Sequence, residues 1–77
     1  MRKRLVLGAA VKAIREAQGR KGSQVAVECL MSHAHLVNIE AGRKQPPAET
    51  VYRIAAVLRV PVDAISYEIT IATEAVA

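Results

Sequence analysis

Apolar positions recur with helical spacing through most of the chain and with strand spacing near its end. Leu7, Val11 and Ile14 stand at i, i+4 and i+7, which places them on one face of a helix. Good helix formers surround them as far as Gln18, and Gly19 ends the element ahead of Arg20 and Lys21. Ser23 is suited to cap a short second helix, whose inward stripe is Val25, Ala26 and either Cys29 or Leu30. Ser32 caps a third helix with Leu36 and Ile39 inward, and Gly42 closes it. Arg43, Lys44 and Gln45 lead into Pro46 and Pro47, a loop because two prolines remove two amide donors. A fourth helix starts near Ala48, with Val51, Ile54, Ala55 and Leu58 as its stripe. Pro61 suits the start of a very short fifth helix carrying Val62 and Ile65.

From Tyr67 the period changes to two. Tyr67, Ile69, Ile71 and Thr73 alternate with Glu68, Thr70 and Ala72, the pattern of a β-strand. The expected organisation is a helical domain over residues 1–66 and a tail over 67–77 that supplies a possible strand. No internal repeat interrupts this order.

Composition narrows the picture. The 77 residues include no Phe or Trp and two Tyr, so the core has to be built from Val, Ile, Leu and Ala. A short aliphatic core is marginal, and a partner subunit would strengthen it. The net charge of +4 is unevenly spread. Residues 1–44 hold nine Lys/Arg against three Glu, which leaves +6; residues 45–77 hold two Arg against four acids, which leaves −2. A basic first half suits a polyanion such as nucleic acid, and equally suits a solubilising surface.

Several function classes recede. Cys29 is the single cysteine, so neither a disulfide framework nor a zinc-ligand set is available, and its apolar neighbours mark it as a small core side chain. His33 and His35, two apart on a helix, point in different directions and do not share a metal. No apolar run approaches a membrane span, and the run after Arg4 is broken by Lys12, unlike a secretory leader. No nucleophile–base pair or phosphate-cradling glycine loop is evident, so neither catalysis nor a cofactor or small-molecule ligand is expected. The expected location is the cytoplasm.

Two short helices joined by a tight turn, inside a five-helix pattern with a basic loop after the third, resemble the Cro/repressor (Xre) helix-turn-helix family. Residues 7–16 look like that family's first helix, and Ala26 falls at its small residue in helix two. Ser32 falls at the cap of the recognition helix, and Leu36, Ile39, Glu40 and Gly42 at its Leu, Ile-Glu and Gly. Pro46 and the stripe from Thr50 to Leu58 follow. Two positions depart: Gly22 stands where the family usually has Gln, and Leu30 where it usually has Gly.

The resemblance implies an all-α, lambda-repressor-like fold that lays its third helix in the major groove. By resemblance His33, Ala34 and Asn38 read bases, and Val37 can meet a thymine methyl. Asn suits adenine, Ala a methyl, and His guanine N7 or O6. Arg43 and Lys44 would hold phosphates, with Ser32, Ser23, the backbone at Gly22 and His35 as further candidates and Lys21 and Arg20 weaker ones. Arg2, Lys3 and Arg4 form either a basic arm or a frayed terminus. Arg15 and Glu40 match a family pair that fixes the recognition helix. A homodimer on a pseudo-palindromic operator is expected, through residues 61–67 or through the tail strand, paired with its copy or with residues 4–7. The implied function is a small, phage Cro-like repressor in a bacterial host; the alternative is an antitoxin or adaptor module on the same fold.

Overall fold

The computed structural model describes residues 2–70. Strand β1 (Arg2–Val6) leads into α1 (Gly8–Ala17), α2 (Gly22–Glu28), α3 (His33–Glu40) and α4 (Ala48–Leu58). A single 3-10 turn (Val62–Ala64) then delivers the chain to strand β2 (Ser66–Thr70). The expected five helices are therefore four. Only three residues separate Pro61 from Ile65, whose side chain is committed to the core, so an α-helix has no room to form. The expected all-α class becomes mostly helical with a two-stranded sheet.

β1 and β2 pair antiparallel in the register Arg2 with Thr70 through Val6 with Ser66. The strand-like segment thus joins the chain's own N-terminal residues, and a boundary at residue 67 would fall inside β2. The expected strand residues Ile71, Ala72 and Thr73 lie outside the described residues. Directly paired residues share a sheet face. Leu5, Tyr67 and Ile69 lie on the outward face, while Val6 and Ser66 turn inward and are buried.

The core is Val6, Val11, Val25, Ala26, Cys29, Leu36, Ile39, Val51, Ile54, Ala55, Leu58 and Ile65. It is aliphatic throughout, and each fully buried Val, Leu or Ile contributes about 1.5–3 kcal/mol relative to exposure. Leu7, expected inside, is the extended residue preceding α1 and is largely exposed. Its amide donates to the Ile65 carbonyl at 2.7 Å, which ties α1 to the end of the 3-10 turn, and Val6 takes its place in the core.

Gly8 sets how closely α1 approaches α3. A Cβ there would stand 2.2 Å from the Ile39 carbonyl oxygen, a backbone clash that no side-chain motion relieves. Among the described residues no helix is long and apolar enough to cross a membrane, and no group of three potential metal ligands occurs.

Candidate nucleic-acid interface

α2 and α3 are joined through Leu30, whose φ of 61° is left-handed. The Leu30 amide donates to the Val27 carbonyl and the Met31 amide to the Ala26 carbonyl, both at 3.0 Å. This pair of bonds is the helix ending that glycine ordinarily serves. Leu30 serves it with its side chain 78% exposed, at a backbone cost of about 1–2 kcal/mol. The departure from glycine leaves the turn closed. Of the two residues offered for the inward stripe, Cys29 is buried and Leu30 is not. Burial pushes the Cys29 thiol up, away from a reactive thiolate.

Ser32 precedes α3 with an extended backbone, and its hydroxyl accepts the His35 amide at 3.0 Å. Leu36 and Ile39 anchor the inner side of α3. The remaining spacing leaves His33, Ala34 and Val37 exposed and Asn38 half-buried. His35, on another side of the helix, is half-buried. The His33 imidazole is turned toward α2: a Cβ built on Gly22 would stand 3.0 Å from His33 Nε2 and 3.6 Å from Arg15 Cζ. The absence of a side chain at position 22 is what makes room for the ring.

The cap of α2 lies two residues before the one expected at Ser23. Lys21 is the extended residue at its start, and its carbonyl accepts the Gln24 and Val25 amides at 3.1 and 3.0 Å. Ser23 is consequently inside the first turn and exposed, and its hydroxyl makes no capping bond. The amides of Gly22 and Ser23 are among those a helix start leaves without intrahelical partners.

α3 ends at Gly42, with φ 81°. Its amide donates to Ile39 and that of Arg43 to Asn38, at 3.1 and 2.9 Å. Arg43 also donates from Nε to Asn38 Oδ1 at 2.9 Å. Arg43 and Lys44 are exposed. The loop is secured one residue later, where Gln45 Oε1 accepts the Val6 amide at 2.9 Å and Gln45 Nε2 donates to the Val6 carbonyl at 3.3 Å. Gln45 thereby completes the outer edge of β1 as a further strand would.

Behind this surface, Arg15 donates from Nε and NH2 to the two oxygens of Glu40, at 2.8 and 3.1 Å. Its NH1 donates to the Arg20 carbonyl at 2.9 Å. The two side chains are 12% and 7% exposed, and the bond to Glu40 raises the Arg15 pKa above its ordinary value. The pair joins α1 to the last turn of α3.

The other cations divide into two groups. Arg20 is committed inward: it donates to the Val57 carbonyl at 2.6 Å and to Glu28 at 2.7 Å. Arg2 and Arg4 belong to β1, so this segment is neither a free arm nor a frayed end. Arg4 donates to Asp63 at 3.1 Å and to Ser66 at 2.9 Å, and both arginines lie within 4.0 Å of Glu68. Among the described residues, Lys3, Lys12, Lys21, Arg43, Lys44, Arg53 and Arg59 form no ion pair. Lys12 was not among the DNA-contacting residues expected from the sequence. It borders a shallow depression with Val37, Glu40 and Ala41, at the edge of the exposed side of α3. Its only sequence signal is a charge opposite the apolar stripe of the first helix.

Residues 6–66 match a family model described as a helix-turn-helix domain. No curated protein sequence matches the chain. Among solved structures it resembles the clp gene regulator ClgR from C. glutamicum, with TM-score 0.72 and 29% identity over 75% of this chain and 77% of that one. An HTH_3 family transcriptional regulator from Vibrio cholerae gives TM-score 0.70 and 28% identity, over 75% of this chain and 33% of that one. The restriction-modification controller protein C.AhdI from Aeromonas hydrophila shares the fold, with TM-score 0.72 at 16% identity over 75% and 84% of the two chains. With the match covering most of its length and the recognition-helix geometry in place, the chain belongs to the Xre family of helix-turn-helix DNA-binding proteins.

Proposed function

We propose that the protein is a sequence-specific transcription regulator that reads double-stranded DNA through α3 in the major groove. One observation carries this reading: α3 presents Ala34, Val37 and Asn38 outward, beside Lys21, Arg43 and Lys44, while Arg4 and Arg20 are engaged within the protein. Ala34 and Val37 offer methyl surfaces to thymine, and the Asn38 amide, whose Oδ1 is bonded to Arg43, offers its Nδ2 donor to a base edge. Ser32, Ser23, the Gly22 amide, Lys21, His35, Arg43 and Lys44 supply the backbone contacts that set register. Arg15 and Glu40 hold α3 at the angle this requires.

The protein acts as a homodimer on a pseudo-palindromic operator, with half-sites about 10 base pairs apart. The outward sheet face supports a dimer, because it leaves Tyr67 and Ile69 in water beside a half-buried Leu5, and a two-fold partner would cover them. Occupying an operator excludes other proteins from it, so repression is the simplest output.

That same apolar face favours a second reading, a protein-interaction module of the antitoxin or adaptor kind. Selection of bound sites from random duplex DNA, followed by a salt titration on the enriched site, separates the two. A palindromic motif and an affinity that falls steeply with salt support the DNA reader. An unenriched pool overturns it.

A further inference from the structure

Gly22 and His33 meet where the first turns of α2 and α3 face each other. The His33 ring leans toward α2, so that a Cβ at position 22 would press on it, 3.0 Å from Nε2. We propose that His33 contacts the phosphodiester backbone of duplex DNA instead of a base, and that Gly22 is the seat that holds its imidazole there. The inference rests on the DNA-reading function proposed above and changes the part played by one residue in it.

The surroundings of the ring fit an anion of acceptor oxygens. Lys21 and Ser23, on either side of Gly22, are exposed and supply a cation and a hydroxyl. The Arg15 guanidinium flanks the seat from within, fixed by Glu40 and the Arg20 carbonyl. The α2 carboxylate, Glu28, is drawn away to Arg20. The crevice therefore presents donors, as a phosphate requires, whereas base edges mix donors and acceptors. His33 itself remains exposed, so its imidazole is open to an approaching strand.

The test uses the full chain, a duplex selected from random DNA by the wild type, and a scrambled duplex of the same length. His33→Ala is expected to weaken both duplexes by the same factor, about fivefold for one lost hydrogen bond, and to select the same motif as the wild type. Gly22→Ala is expected to weaken both equally as well, because its methyl, 3.0 Å from Nε2, crowds the ring out of this position. Circular dichroism melts of each variant confirm that the fold persists. If His33→Ala instead loses preference at one base pair and leaves scrambled DNA unaffected, His33 is a base reader and the proposal fails. If Gly22→Ala leaves both affinities unchanged, the seat has no role and the proposal fails. A wild type that binds neither duplex overturns the DNA reading itself, a result distinct from these two.

Discussion

The Nε of Arg43 donates to Oδ1 of Asn38 at 2.9 Å, so a residue proposed to hold the DNA backbone orients one proposed to read bases. The Arg43 amide bonds to the Asn38 carbonyl as well, which places both residues in one closed helix ending. With Oδ1 engaged, Nδ2 is the group Asn38 has left to offer a base. Arg43→Lys keeps the charge but loses the planar guanidinium that reaches Oδ1. It should leave the salt dependence unchanged while costing about 1 kcal/mol of discrimination at the base Asn38 faces. Arg43→Ala should also reduce the salt slope by about one. Competition binding across a salt series separates these effects.

Arg15 and Glu40 are nearly buried and satisfied by each other through two parallel bonds. Arg15→Ala leaves the Glu40 carboxylate without its partner in that position. Urea unfolding should show a loss of about 3 kcal/mol, the range for breaking a buried pair from one side. Arg15→Ala with Glu40→Ala should cost less than the sum of the single changes, since the residues couple directly. If the pair sets the angle of α3, the double variant will still bind its selected site more weakly than the wild type. Equal affinity would reduce the pair to a stabilising contact.

Two helices end on non-glycine residues in the left-handed region, Leu30 at φ 61° and Arg59 at φ 58°. Both are exposed, so truncation gives up little packing. Leu30→Gly and Arg59→Gly should each stabilise the fold by about 0.5–1 kcal/mol, because relief of the left-handed strain exceeds the extra chain entropy of glycine. Gly42→Ala, at φ 81°, should destabilise by about 1 kcal/mol for the converse reason. Midpoints of denaturant unfolding at constant slope would establish the order.

These positions also show where the sequence was legible and where it was not. Val11, Leu36, Ile39, Val51, Ile54 and Leu58 could be placed inside because periodicity reports burial directly. Gly19 and Gly42 could be placed at helix ends because glycine adopts the left-handed turn without strain. Leu30 and Arg59 make the same turn under compulsion from packing, and nothing in their side chains announces it. Residues 4–7 could be offered as one of two partners for the tail strand, but the choice and the register could not be read, because the paired residues stand sixty or more positions apart. The contacts of Arg20 with Val57 and of Gln45 with Val6 are side chain to distant backbone, a class without sequence periodicity. The outward row of α3 could be inferred once Leu36 and Ile39 were placed inside. The turn of His33 toward Gly22 depends on rotamer and neighbour, which spacing does not convey.

Gln45 is the residue through which the sheet supports the loop of Arg43 and Lys44. Its amide satisfies both polar groups of Val6 on the free edge of β1, at 2.9 and 3.3 Å. Gln45→Glu keeps the acceptor for the Val6 amide but sets a carboxylate oxygen against the Val6 carbonyl. Gln45→Ala removes both partners and leaves an edge amide to water or to nothing. Either change should lower stability by about 1–2 kcal/mol, the cost of an unmatched polar group at a partly buried site. The consequence for binding differs from that of Arg43→Ala, because both loop cations remain. Affinity for specific and scrambled DNA should fall together, by about fivefold, while the salt slope holds nearly constant, since the same phosphates are neutralised from a less ordered loop. Were the slope to fall as it does for Arg43→Ala, Gln45 would be acting on the phosphates themselves. Were affinity unchanged despite the loss of stability, the loop would be held by Gly42 and Pro46 alone.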